Sequence, residues 1–315
     1  MQPEEQLIKE RIKKLNDLRK LGINPYPYKF DVKNYSSEIL EKYKKLGKEG
    51  KAKENVSVAG RIITLRPMGK ITFGHLQDYK GRIQFFINEL GIGKKDYEIL
   101  SLLDLGDIIG INGTIFRTKA GEITIFVKKF ELLTKSLRPL PDKWHGLKDI
   151  EERYRKRYVD LIVNPEIKQV FIKKFKIINS IKDSLNKHGY IEVDTPVLQP
   201  IYGGANAKPF KTYVNNLKRE AYLRISDELY LKRLIVGGFD KVYELSKDFR
   251  NESIDTTHNP EYSMIEFYEA YSDYNDMMKL TQEIIVKANK AINNTNDIEF
   301  FNHKINLKTP WRVMT

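Results

Sequence analysis

The 315-residue sequence contains no cysteine. Disulfides, thiolate metal sites and cysteine nucleophiles are thereby excluded. Long apolar runs are missing too. No stretch approaches the roughly 18 consecutive apolar residues that suggest a membrane span, so no membrane partner is expected. The first residues carry Glu4, Glu5, Glu10 and Asp17 without an apolar core segment, which argues against a transit or signal peptide. Internal repeats and low-complexity segments are absent. The expected compartment is cytoplasmic.

What is present fits a soluble globular protein, with 41% hydrophobic and 31% charged residues. The length favours two domains over one. The formal net charge is +13. That charge suits a polyanionic partner such as nucleic acid. It equally suits a solvated lysine surface, because the chain has the Lys, Ile, Asn and Tyr bias that AT-rich coding produces.

Helical spacing marks the start. Leu7, Ile8, Ile12, Leu15 and Leu18 share one face of a helix over Glu4 to Leu21, which Gly22 and "NPYPY" stop. The other face offers Lys9, Lys13, Lys14 and Lys20, for RNA or for solvent. From Val56 to Leu133 the text turns to short runs of β-branched and aromatic residues punctuated by Gly, Asp and Asn. Five such strands predict a small barrel, most economically an OB-fold, with an SH3-like barrel as the alternative. OB-folds stack bases on aromatics beside a basic groove. Phe73, His75, Tyr79, Arg82, Gln84 and Phe86 are candidates for that work or for barrel structure. Two prolines then mark a linker, with Trp144 and His145 as a site or an anchor and a Glu/Arg-dense helix after it. Glu166 to His188 reads as a long amphipathic helix that Gly189 ends. From Tyr190 the pattern alternates strands with short helices.

The stretch "KVYELSKDFRNESIDTTHNPEYSMIEFYEAY" predicts two strands around a long loop, an antiparallel hairpin. Alternation puts Glu244, Ser246, Asp248 and Arg250 on one face of the first strand. Tyr262, Met264, Glu266 and Tyr268 share a face of the second. Such a polar face is costly to bury unless ligands or partners pair it. Arg250 suits a bidentate grip on phosphate or carboxylate, and Glu266 suits an amine. An exposed face with surface ion pairs is the competing reading.

"FRNES…THNPEYSMIEFYEAY" resembles motif 2 of class II aminoacyl-tRNA synthetases, in the form found in lysyl-tRNA synthetases. "GYIEVDTPVLQPIYGGANAKPF" is similar to their motif 1 and the Gly-Gly-Ala substrate loop after it. "VAGRIITLRPMGKITFGHLQD" and "PLPDKWHGLKDIEERYRKRYVDL" resemble the family's anticodon-binding OB domain and its linker. The resemblance runs from about Leu7 to Thr315. It implies an α+β protein: an N-terminal OB-fold β-barrel followed by a partial class II synthetase antiparallel sheet flanked by helices. The implied organisation is a helical segment over 1–50, the OB-fold anticodon-binding domain over 51–135, a linker over 136–160 and an incomplete catalytic domain over 161–315.

The resemblance also implies roles. Arg250 would hold the ATP α-phosphate and the lysine carboxylate and act as the catalytic residue. Glu252, His258 and Asn259 would contact ATP, and Tyr262, where the family usually has Phe, would stack on adenine. Gly204, Glu228, Glu266 and Tyr268 would join Arg250 in binding lysine. Phe73, Gln84 and Arg66 would read the anticodon; Leu65 stands where the family often has an arginine. Ser253 replaces the glycine usual after "FRNE". The implied partners are ATP, L-lysine, tRNA(Lys) and a second copy of the chain, as a homodimer through the motif 1 region. Mg²⁺ would accompany ATP.

The family's third motif, with its γ-phosphate arginine, does not occur in the sequence, and the Mg²⁺ carboxylates are expected beyond Thr315. No metal ligand is assigned within the chain. The expectation is a fragment or truncated form of a lysine–tRNA ligase that is inactive by itself. The other readings are a non-catalytic tRNA-binding remnant and an aspartyl- or asparaginyl-type enzyme. The acidic pair Glu228 and Glu266 suits an amine-bearing side chain better than an acidic one. A lysine-attaching paralogue that acts on a protein factor usually lacks the barrel.

Overall fold

The computed structural model describes residues 4–141 and 147–314. Trp144 and His145 lie outside the described residues. The chain divides into two compact units, Met1–Asn164 and Pro165–Thr315.

In the first unit, α1 (Glu4–Lys20) is amphipathic as expected, but its buried face is Arg11, Leu15 and Leu18. Ile12 is exposed instead. Arg11 is drawn in because its guanidinium donates to three backbone carbonyls, of Leu105, Ser136 and Arg138. Those bonds satisfy a charge that helical periodicity alone would leave in water. A short helix α2 (Ser36–Lys42) follows, with Ser36 held by the Asp78 carboxylate at 2.5 and 2.7 Å.

Five strands then form: β1 (Lys51–Met68), β2 (Ile71–Gln77), β3 (Arg82–Asn88), β4 (Ile108–Arg117) and β5 (Ile123–Thr134). Between β3 and β4 lie the short helices α3 (Glu89–Ile92) and α4 (Lys94–Ile99). The strands close in the order β1-β2-β3-β5-β4, with β4 pairing back onto β1. Strict alternation builds the core. Leu76, Ile83, Phe85, Ile87, Ile109, Ile111, Ile125 and Val127 point inward and are buried. Phe73, His75, Gln84 and Phe86 take the outward positions between them. Lys135, just after β5, is also buried, bonded to Asp104 at 2.5 Å and Asp107 at 2.8 Å.

The Glu/Arg-dense helix expected after the linker is two helices, α5 (Ile150–Arg155) and α6 (Arg157–Val163), broken at Lys156. Asp160 is fully buried there. Burial pushes its carboxyl up, but bonds from Asn164 and Arg153 outweigh that and hold it below the usual range.

The second unit opens with α7 (Ile167–Lys187), which Gly189 ends at φ +83. Short strands β6 (Ile191–Glu192), β7 (Leu198–Gln199), β8 (Lys211–Val214) and β9 (Arg219–Leu223) lead to α8 (Glu228–Val236). The hairpin β10 (Lys241–Phe249) and β11 (Glu261–Glu269) comes next. It is antiparallel, and β6 adds to β10 in parallel, giving the order β11-β10-β6. The intervening β7 to α8 segment is long enough for the crossover that a parallel pair requires. A second sheet runs β7-β9-β8. The chain continues through α9 (Tyr274–Asn293), a 20-residue helix where short ones were expected, to the hairpin β12 (Asp297–Phe300) and β13 (His303–Asn306).

The hairpin β10–β11 has two unlike faces. Tyr243, Ile265 and Phe267 pack with Leu185 of α7 and Leu280 and Ile284 of α9. The alternate residues carry the polar groups described next.

Candidate functional site

The register pairs Glu244 with Glu266, Ser246 with Met264 and Asp248 with Tyr262. The two polar runs expected from alternation therefore share one face. Glu244, Ser246 and Asp248 are buried rather than exposed. Arg224, at the end of β9, is the partner that makes this burial tolerable. Its Nη1 donates to Glu244 Oε1 at 2.6 Å and its Nε to the Lys247 carbonyl at 3.0 Å. Thr195 donates to the same Glu244 carboxylate at 2.7 Å. Arg224 stands 20 residues or more from the hairpin positions it serves in sequence, and Asp227 beside it is fully buried too. Burial pushes the Asp227 carboxyl up to about 7 and raises that of Asp248.

Next to this cluster, Glu266 Oε1 accepts from Ser226 at 2.9 Å, and its Oε2 from the Tyr268 hydroxyl at 3.2 Å. Burial first, then the charges of Glu266 and Glu228, push the Tyr268 phenol far up, so it remains a donor. Gly204 sits against the same residues at φ +86. A Cβ there would lie 2.8 Å from Glu228 Cβ and 2.9 Å from Ser226 Oγ. The backbone comes this close only because the residue is glycine. Gly204, Glu228, Glu266 and Tyr268 are thus brought together. Glu228 differs from expectation in one respect: its carboxylate pairs with Lys232 one turn along α8, at 2.6 Å.

The second group gathers at the hairpin loop. Arg250, Glu252, His258, Asn259 and Tyr262 all line one cavity of about 430 Å³, together with Ser253, Asp255 and Thr257. The Arg250 guanidinium lies 5.3 Å from the Tyr262 ring centroid, and its Nε is buried without a partner. One face of the Tyr262 ring is therefore occupied by Arg250. Asp255, which the sequence reading did not single out, organises the loop. It accepts from the backbone of Thr257 at 2.7 Å and of His258 at 2.8 Å, and pairs with His258 Nδ1 at 2.7 Å. The Thr257 backbone bond first, then the His258 side chain, hold its carboxyl far below the usual range. Its sequence signal was the Asp-Thr-Thr turn itself.

On the barrel, Phe73 faces Phe86 across the β2–β3 ladder, with ring centroids 4.8 Å apart. Arg66 pairs with Phe73 on the β1 side and is exposed. Gln84 lies opposite His75. Glu122 binds both, His75 Nε2 at 2.8 Å and Gln84 Nε2 at 2.6 Å. Phe116 and Phe126 extend the aromatic surface from Phe86. The sequence reading missed Glu122, which fixes how Gln84 presents its amide.

Two families' models match the chain. Residues 149–315 match tRNA synthetases class II (D, K and N), and residues 56–133 match an OB-fold nucleic acid binding domain. The chain is 48% identical over 307 residues to a protein named lysine–tRNA ligase from Carboxydothermus hydrogenoformans, covering 98% of this chain and 62% of that protein. It is 49% identical over 306 residues to a protein of that name from Methanoculleus marisnigri, covering 97% and 60%. A third, from Thermoanaerobacter sp., is 49% identical over 311 residues, covering 98% and 61%. The chain spans about three fifths of the length of these curated relatives. Among the described residues no helix is long and apolar enough to cross a membrane.

Proposed function

The chain belongs to the class II tRNA synthetases (D, K and N), and from that premise we propose that the protein carrying it is a cytoplasmic lysine–tRNA ligase. The observation that carries this reading is the arrangement on one hairpin face. A carboxylate, Glu266, stands beside the phenol of Tyr268 and the close-fitting Gly204, with Arg250 one residue beyond the end of β10. An acidic recess suits the amines of lysine and repels the side chain of aspartate. The guanidinium suits its carboxylate and the α-phosphate of ATP.

In the first step a carboxylate oxygen of lysine attacks the α-phosphorus of ATP. The bond to pyrophosphate breaks and lysyl-adenylate forms. Arg250 neutralises charge that builds on the phosphoryl oxygens. In the second step a terminal ribose hydroxyl of tRNA(Lys) attacks the carbonyl carbon and AMP leaves. Positioning supplies most of the rate in both steps. Glu252 and Asp255 are the carboxylates at the loop cavity. Glu252 accepts from the Lys208 backbone at 3.2 Å, and Asp255 is held by Thr257 and His258. They do not fit a magnesium site, so no ligand for the nucleotide's magnesium is proposed among the described residues, and Mg²⁺ would accompany ATP.

Phe73, Gln84 and Arg66 are proposed to read the anticodon, by stacking and hydrogen bonding on the barrel face. Exposed apolar side chains on and near the motif 1 segment, Val170, Phe175, Ile191, Leu198 and Ile201, support a homodimer.

Lysine-dependent ATP–pyrophosphate exchange tests the reading. The protein that carries this sequence should exchange with lysine and not with aspartate or asparagine. Arg250→Ala should slow exchange about tenfold to a hundredfold, the worth of one charge-assisted hydrogen bond. Exchange driven by aspartate, or an Arg250→Ala variant at the wild-type rate, overturns it.

A further inference from the structure

The buried acid cluster behind Glu266 holds more negative charge than its protein partners neutralise. Asp227 and Asp248 are fully buried, and Glu244 is nearly so. Two guanidiniums face the four carboxylates of Asp227, Glu244, Asp248 and Glu266. Arg224 spends its aligned hydrogen bonds on Glu244, Thr195 and the Lys247 carbonyl. It approaches Asp227 at 3.2 Å and Asp248 at 3.5 Å only as an ion pair. Arg250 lies over the Tyr262 ring. No lysine among the described residues pairs with Asp227, Asp248 or Glu266.

The oxygens themselves are unusual. Both carboxylate oxygens of Asp227 and Oδ2 of Asp248 are shut off from solvent and have no hydrogen-bond partner. The Tyr262 hydroxyl is buried and unpartnered in the same way. Buried ionised groups require a counter-charge and hydrogen bonds. One oxygen each from Asp227, Asp248 and Glu266 lie within 4.8 Å of one another.

We propose that Asp227, Asp248 and Glu266 form a binding site for one hard divalent cation, with the Tyr262 hydroxyl and Ser246 beside it. The donors are all oxygen, which selects hard ions over thiophilic ones. Oxygens on opposite sides of Ca²⁺ stand about 4.6–5.2 Å apart and those of Mg²⁺ about 4.0–4.2 Å. Separations within 4.8 Å admit any of these ions. A divalent ion brings the cluster to charge balance and ties Asp227, at the start of α8, to the strands β10 and β11. The site needs no nucleotide, so it is separable from the magnesium that ATP carries; it shares Glu266 with the proposed lysine recess, so the ion and the lysine amine compete for that carboxylate.

The test uses chelator-stripped full chain with CaCl₂, MnCl₂ or MgCl₂ alone, without ATP or lysine. Calorimetry should find one ion per chain, Mn²⁺ should lose its free electron-resonance signal, and the ion should raise Tm. Asp227→Asn and Asp248→Asn keep the side-chain volume and remove one buried charge each. Both should match or exceed the Tm of the stripped wild type, which excludes misfolding. Both should bind the ion at least about tenfold more weakly, because affinity follows ligand charge. A wild-type chain that binds none of the three ions overturns the proposal, as does equal binding by both variants. In either case the cluster is neutralised by protons instead.

Discussion

At the residue scale, the most informative side chains are charges whose partners lie far away in sequence. Lys135 is one. Its ammonium is enclosed with Asp104 and Asp107, and Lys14 reaches the same Asp104 at 2.6 Å. Lys135→Met leaves Asp107 buried and unpaired, which should cost about 3–5 kcal/mol in urea unfolding. A loss below about 1 kcal/mol, the level of a surface pair, would show the clamp to be ornamental. The clamp is also pH-dependent. Burial raises the Asp104 carboxyl, but bonds from Lys135 and Lys14 prevail and hold it below its ordinary value. A depressed carboxylate contributes its stability above its unfolded pKa and loses it as pH falls through the folded value. Wild type should therefore lose more stability than Lys135→Met on acidification below about pH 4, the ordinary carboxylate range. Phe73 makes the residue-scale case for function. Phe73→Ala removes one stacking platform and should weaken binding of the anticodon stem-loop by about 1–3 kcal/mol. Unchanged affinity would remove Phe73 from the interface.

At the element scale, the hairpin β10–β11 does two jobs because a strand has two faces. One face, with Tyr243, Ile265 and Phe267, packs on α7 and α9. The other holds the acids and aromatics of the site. Alternation in the sequence was enough to assign these faces, since the side-chain period of a strand is fixed. The Gly204 segment works by a different rule. Its φ of +86 and its packing on Glu228 and Ser226 both reject a side chain. Gly204→Ala should raise the KM for lysine in pyrophosphate exchange by about tenfold, in line with about 1–3 kcal/mol of backbone strain. The KM for ATP should stay near the wild-type value, because the loop cavity does not include Gly204. A rise in the ATP KM alone would contradict that division. Helix α9 buries Leu280, Ile284 and Ala288 at helical spacing, a signal that the expectation of short helices in this region did not use.

At the scale of the whole molecule, the net charge of +13 bears on partners rather than on fold. If the lysines serve RNA, affinity for tRNA should fall linearly in log–log terms as salt rises, because bound phosphates release counterions. Filter binding over a range of KCl concentrations measures the slope. A flat line would assign the charge to solvated surface. Self-association is the other molecular prediction. Light scattering should give twice the monomer mass, and charged substitutions at Phe175 and Ile201 together should lower it. A monomeric wild type at micromolar concentration would remove the motif 1 face from the interface.

Sequence alone determined the elements whose signal is local. Five strands of period two specified the barrel, and the hairpin's alternation specified which residues share the polar face. The motif 2 stretch put Arg250, Glu252, His258, Asn259 and Tyr262 within 13 positions, and a single loop sufficed to gather them. Only the tertiary structure decided the charges. Nothing local in the sequence distinguishes Arg224 from a surface arginine, or Asp227 and Asp248 from surface aspartates. Burial of an ion depends on which distant groups the fold brings within about 4 Å of it, since Coulomb energy in a low-dielectric interior falls with distance through space and not along the chain. The same holds for Arg11, which displaced Ile12 from the buried face of its helix because three carbonyls far along the chain were waiting for it.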